Sequence, residues 1–131
     1  MQKIYKTEEE WKNILMPEQY RVMREKGTER PFTCEFAEHK GEGVYHCVAC
    51  DLPLFKSGAK FESGTGWPSF YDPVHEDNII YREDDKLDMK RIEVLCARCE
   101  SHLGHIFDDG PKPSGKRYCI NGIALKFKPN S

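Results

Sequence analysis

Apolar residues follow two rhythms along the chain, and the change comes near Gly27. Before it, Trp11, Ile14 and Leu15, then Tyr20 and Met23, recur at the spacing that lays side chains along one helical face. Thr7 followed by Glu8, Glu9 and Glu10 supplies a capping box and an acidic first turn, which predicts a short helix starting there. Pro17 suits the first position of a second helix, where its missing N–H has no partner to lose, and Gly27 is the expected stop. Beyond a loop at 28–31, Gly, Pro and Asp recur every few residues between short apolar runs, the punctuation of strands and turns. Those runs, 44–48, 79–82, 89–96 and 117–127 with an interruption near Gly122, predict strands, and 83–88 reads as a hairpin connection. A short helical N-terminus followed by a meandering antiparallel β domain is the expected organisation.

A length of 131 residues suits one compact core, and the doubled cysteine motif described below is the only internal repetition. Twenty basic residues against 22 acidic ones leave a net charge of -2, no field with which to hold a phosphate backbone, so nucleic acid is not expected as a partner. The opening MQKIYKTEEEW has no apolar signal core, and no apolar run is long enough to span a bilayer. A cytoplasmic, membrane-free protein is the expectation. In a reducing compartment the six cysteines point to metal or redox chemistry rather than to a disulfide scaffold.

Cys47 and Cys50 form one C-x-x-C, Cys96 and Cys99 another, with 45 residues between the pairs. Each short turn aims two sulfurs to one side, so together they can surround one zinc ion tetrahedrally. Each pair also follows an expected strand, and the hairpin between them can bring the second pair back to the first. Four sulfurs close the coordination shell, which makes the zinc a staple with no position left for water. His46, His102 and His105 lie near enough in sequence to replace a sulfur, but four cysteines make that unnecessary. The competing reading, a thioredoxin-like redox pair or unrelated buried thiols, lacks the βαβ pattern that would accompany it.

Two cysteines remain, Cys34 and Cys119. Alternation along the expected strand puts Arg117, Cys119 and Asn121 on one face, and the guanidinium favours the thiolate that a nucleophile needs. On the residues alone, a lone strand cysteine is more often a small buried apolar residue. The segments Gly64 to Phe70 (GTGWPSF) and Ser101 to Phe107 (SHLGHIF) add two aromatics beside a proline and two imidazoles that a glycine bulge can bring to one side.

Taken together, the C-x-x-C pairs, GWPSF, HLGHIF, FDDGP and RYCIN, in that order, resemble the methionine sulfoxide reductase B family over about residues 27 to 127. The resemblance implies two small antiparallel sheets forming a barrel-like, zinc-stapled domain. It spans 1–131, with 1–27 as a helical extension packed on it. It implies an oxidoreductase that returns methionine-R-sulfoxide in oxidised proteins to methionine. In that family's terms Cys119 is the nucleophile that becomes a sulfenic acid, and His102 and His105 supply protons. Asn121, Arg117 and Asp109 surround the sulfoxide, and Trp67 packs its methyl group, with Phe107 on the same wall.

Many members carry the resolving cysteine two residues before the tryptophan of GWPSF, where this chain has Thr65. Cys34 resembles the recycling cysteine that other members place in the N-terminal region, which implies a Cys34–Cys119 disulfide reduced by thioredoxin. A one-cysteine cycle, with external thiol attacking the sulfenic acid, is the alternative for that step. A zinc-ribbon protein-binding module, with GWPSF and HLGHIF as its docking surface and Cys119 structural, is the alternative for the whole chain. No heptad or surplus apolar stripe is visible, so a monomer is expected.

Overall fold

The computed structural model describes residues 2–30, 41–84 and 90–130. Helix α1 (Glu8–Ile14) opens on the capping box, with the Thr7 hydroxyl accepting from the Glu10 amide and the Glu10 carboxylate accepting from the Thr7 amide. Trp11 and Leu15, one turn apart, are buried, whereas Ile14 lies off that line and is 53% exposed. Helix α2 (Pro17–Arg24) buries Tyr20, Val22 and Met23. It ends slightly differently from expectation. Lys26 takes the left-handed turn at φ 57°, and the Gly27 amide donates back to the Arg21 carbonyl at 2.9 Å. Gly27 is needed for that close approach, since a Cβ there would meet the Arg21 carbonyl oxygen at 2.9 Å.

Nine strands follow among the described residues: β1 (Gly43–Cys47), β2 (Pro53–Lys56), β3 (Lys60–Phe61), β4 (Ser69–Phe70), β5 (Ile79–Asp84), β6 (Arg91–Cys96), β7 (His102–Phe107), β8 (Arg117–Ile120) and β9 (Leu125–Pro129). They make two antiparallel sheets, ordered β2-β1-β9 and β3-β4-β8-β7-β6-β5. The mainly β, two-sheet architecture is the expected one, but neither sheet closes: β2 and β9 edge the first, β3 and β5 the second. Among the described residues the barrel-like closure is therefore absent, because strands as short as β3 and β4 cannot carry a ladder around. The run 117–127 breaks at a 3₁₀ turn, Gly122–Ala124, which sends β8 to one sheet and β9 to the other. The expected hairpin pairs β5 with β6 from Ile79↔Cys96 to Asp84↔Arg91, and its tip at 85–89 lies outside the described residues.

Aromatic side chains join the sheets. Phe55 of β2 stacks on Phe70 of β4 at 4.4 Å and meets Tyr118 of β8 at 5.5 Å, while Tyr45 of β1 meets Phe70 edge-on. All four are buried, so this face of the larger sheet is the core. Directly opposed residues of antiparallel strands share a face. The register Glu93↔His105↔Cys119↔Ser69 thus draws a polar row across β6, β7, β8 and β4 on the sheet's other face. Helix α2 packs against β7 and the Gly122–Ala124 turn, covering one end of that face.

Candidate active site and metal cluster

Cys47 ends β1 and Cys96 ends β6, and each begins a turn of the same construction. The Asp51 amide donates to the Cys47 carbonyl and the Glu100 amide to the Cys96 carbonyl, both at 2.8 Å. Asp51 and Glu100 then take the left-handed conformation at φ 69° and 58°, turning the chain back so that each C-x-x-C presents both sulfurs together. The four sulfurs lie within 4.8 Å of one another. Cys47 Sγ is 3.7 Å from Cys99 Sγ, and Cys50 Sγ is 3.4 Å from Cys96 Sγ. A tetrahedron with sulfur about 2.3 Å from zinc has edges of about 3.8 Å, so the cluster fits the expected group in donor type, number and spacing. No histidine joins the cluster among the described residues. Cys47, Cys50, Cys96 and Cys99 would hold the ion as a closed structural site.

Cys119 opens onto a cavity of about 250 Å³ lined also by Thr65, Trp67, His105, Phe107, Arg117 and Asn121. The backbone creates this gathering. His105 faces Cys119 directly across β7 and β8, and Gly104 allows the strands to approach, since a Cβ there would overlap the Cys119 carbonyl oxygen. Trp67 is brought over by left-handed Gly64 and Gly66, and its indole N–H donates to the Glu29 carbonyl at 2.9 Å. The Arg117 guanidinium lies 4.4 Å from the Phe107 ring and is held by two bonds to Asp109, at 2.8 and 3.1 Å.

Burial pushes the Cys119 thiol above its ordinary range, while the Arg117 charge and a hydrogen bond from Thr65 pull it back. The guanidinium acts in the expected direction but burial outweighs it, so the resting group is the thiol. Replacing Arg117 with Gln should therefore raise the midpoint of Cys119 alkylation by iodoacetamide and slow alkylation roughly tenfold at pH 8. An unchanged midpoint would remove Arg117 as the compensating charge.

The two expected histidines part company. His102 is buried and its Nδ1 pairs with Glu93 Oε2 at 2.7 Å, while its Nε2 has no hydrogen-bond partner among the described residues. Burial lowers its basicity, with Glu93 opposing, and it does not line the cavity. His105 does line it, and its Nε2 lies 2.9 Å from Asp84 Oδ2. The rings meet edge-on at 5.4 Å, so the imidazoles do converge as expected, through a register shift at Val94/Leu95 of β6.

Asn121 also lines the cavity, but its carboxamide is engaged, accepting from the Glu29 amide at 2.9 Å and donating to the Leu103 carbonyl at 3.0 Å. Asp109 stands behind Arg117 rather than at the wall. Cys34 falls outside the described residues. Sequence reasoning missed Asp84, Arg91 and Glu93, and it read Thr65 only as the absence of a cysteine. A readable signal existed for Glu93, a lone carboxylate in the otherwise apolar run IEVLC that is 1% exposed in the fold.

A model of the SelR domain matches residues 15–129. Among similar chains is a peptide methionine sulfoxide reductase MsrB of Methanosarcina barkeri, 59% identical over 95% of this chain and 88% of that one. Another of the same name, from Pseudomonas putida, is 58% identical over 98% of this chain and 97% of its own. Among solved structures, the Mis18 Yippee-like domain matches 69% of this chain and 98% of its own at TM-score 0.55. Its identity is 18%, so the likeness is one of fold alone.

Proposed function

We propose, from the premise that this chain belongs to the SelR domain family together with the MsrB peptide methionine sulfoxide reductases, that it reduces methionine-R-sulfoxide in oxidised proteins through Cys119. The observation that carries the reading is one cavity holding a strand thiol, an imidazole directly opposite it and an indole wall. The Cys119 sulfur attacks the sulfoxide sulfur while His105 passes a proton to the oxygen, on which negative charge builds. In the adduct the oxygen passes from the methionine sulfur to the Cys119 sulfur as the new sulfur–sulfur bond breaks, and the thiol proton replaces the one His105 gave. Methionine leaves as the thioether and Cys119 is left as a sulfenic acid, so two electrons have passed from thiol to sulfoxide. Trp67 packs the methyl group and Phe107 continues the wall. Arg117, held by Asp109, offsets the burial of Cys119, Asn121 forms part of the wall with its carboxamide already engaged, and His102 supports it from behind.

Cys34 then attacks the sulfenic sulfur, forming a disulfide and releasing water, and thioredoxin returns both thiols at the cost of its own oxidation. This step rests on Cys34 being the one cysteine that the four-cysteine cluster and Cys119 leave unassigned. Zinc in the four-cysteine cluster would supply structure alone, since no coordination position remains open. The protein is read as one domain, 1–131, with 1–27 as its extension, monomeric and cytoplasmic. No helix of the described residues is long and apolar enough to cross a membrane.

Stoichiometric treatment with a methionine-R-sulfoxide peptide without reductant, followed by peptide mapping, should yield one methionine per chain and a Cys34–Cys119 bridge. Equal turnover of the S epimer would contradict the stereochemical reading. Sulfenic acid persisting on Cys119 with Cys34 free would replace the two-cysteine cycle by direct attack of an external thiol.

A further inference from the structure

We infer that Asp84 is the positioning residue of the proton donor, an inference that rests on His105 having that role. Asp84 ends β5, two strands from β7, and its carboxylate reaches across β6 on the polar face of the sheet to His105 Nε2 at 2.9 Å. Both side chains are largely shielded, at 15% and 12% exposure, so the bond works in a medium less polar than water. An imidazole that gives its Nε2–H to a carboxylate has one tautomer fixed and leaves Nδ1 as the nitrogen free for another partner. Since His105 lines the cavity beside Cys119, that nitrogen is the one available to a bound sulfoxide oxygen.

The surrounding charges explain why Asp84 has this role and Glu93 does not. Glu93 stands next to His105 in the register, yet its carboxylate turns to His102 Nδ1 at 2.7 Å and to Lys26 Nζ at 3.5 Å. The second imidazole therefore takes Glu93 out of reach of the reaction. Arg91 of β6 approaches Asp84 at 3.4 Å, and its Nε has no hydrogen-bond partner among the described residues. It adds a second hold on the Asp84 carboxylate and itself lines the cavity. The groups facing His105 are thus Asp84 and Arg91 across β5 and β6, Glu93 beside it, His102 on its own strand, and Cys119 and Arg117 on β8.

Asp84 acts through this bond to His105, holding the ring in place while the sulfoxide oxygen takes its proton. After the proton leaves, the same bond holds the neutral ring in the tautomer that can be reprotonated at Nδ1. No covalent bond to Asp84 forms or breaks.

The test is the single-turnover rate of methionine formation from a methionine-R-sulfoxide peptide, measured without reductant. Asp84→Asn should slow the step roughly 10- to 100-fold near pH 7. Asp84→Glu should restore most of the rate, and iodoacetamide should alkylate Cys119 at the unchanged rate in both variants. A twofold or smaller effect of Asp84→Asn, or failure of Asp84→Glu to restore the rate, would overturn the inference. His105→Gln, run beside them, separates the two readings: slow His105→Gln with normal Asp84→Asn sinks the Asp84 role alone, whereas normal His105→Gln sinks the proton-donor reading beneath it.

Discussion

Cys119→Ser is expected to leave no measurable reduction of a methionine-R-sulfoxide peptide, a loss of at least about 10⁴-fold, with metal content and thermal unfolding unchanged. The reason is redox as much as nucleophilicity. The reduction needs an atom that can take the sulfoxide oxygen and two electrons' worth of oxidation, and a cysteine sulfur does so by becoming a sulfenic acid. A serine oxygen in its place would have to form an oxygen–oxygen bond, and at neutral pH it is also a far weaker nucleophile than a thiolate. The substitution itself is structurally mild, since it changes one atom in a residue that is only partly buried and borders a cavity. Single-turnover methionine yield, read beside circular dichroism and metal analysis, is the measurement. Near-normal yield would transfer the chemistry elsewhere and favour the reading of GWPSF and HLGHIF as a docking surface with a structural Cys119.

What the sequence made legible was whatever depends on local rhythm or on rare residues. Trp11, Leu15, Tyr20 and Met23 declared two helices through periodicity, and the capping box at Thr7 marked where the first begins. The four clustered cysteines were readable because thiols paired at that spacing have few other uses in a reducing compartment. Strands β3 and β4 were not readable, being two residues each, too short for alternation to register. Strand β7 was hidden by its own chemistry, since HLGHIF interrupts its apolar positions with a glycine and two histidines that serve the cavity and the β8 backbone. The carboxylate partners of the histidines were invisible for a different reason. Whether Asp84 or Glu93 meets His105 depends on register and on where Lys26 lands at the end of α2, and both are tertiary facts. Even the thiol's environment was half legible: the Arg117 charge follows from alternation, but the burial that outweighs it does not.

Removing the metal should undo the fold itself. A four-thiolate zinc site contributes roughly 10 to 16 kcal/mol in small peptides. That is comparable to the whole stability of a domain, about 5 to 15 kcal/mol. Here the cluster ties the end of β1, in the three-stranded sheet, to the end of β6, in the six-stranded one. It is also wired to the N-terminal segment, because Arg24 donates to the Cys99 carbonyl at 2.9 Å and the Ile4 amide to the Arg98 carbonyl at 2.8 Å. Cys47, Cys96 and Cys99 are buried, so without an ion three thiols would remain in an apolar interior held together by weak S–H contacts alone. Prolonged chelation under reducing conditions should therefore abolish cooperative thermal unfolding, or lower its midpoint by more than about 15 °C. Thiol titration gives an independent reading: two reactive cysteines in the metal-loaded protein, Cys34 and Cys119, should become six after chelation. Cys99→Ser should mimic chelation, while Cys119→Ser should not, which separates the staple from the nucleophile. Purified protein that carries no metal yet unfolds cooperatively with Cys47, Cys50, Cys96 and Cys99 protected from reagent would show that the cluster packs as thiols, and the zinc assignment would fall. Loss of reductase activity should track loss of folding during chelation, because β7 and its His105 hang between β6, which the cluster anchors, and β8, which carries Cys119.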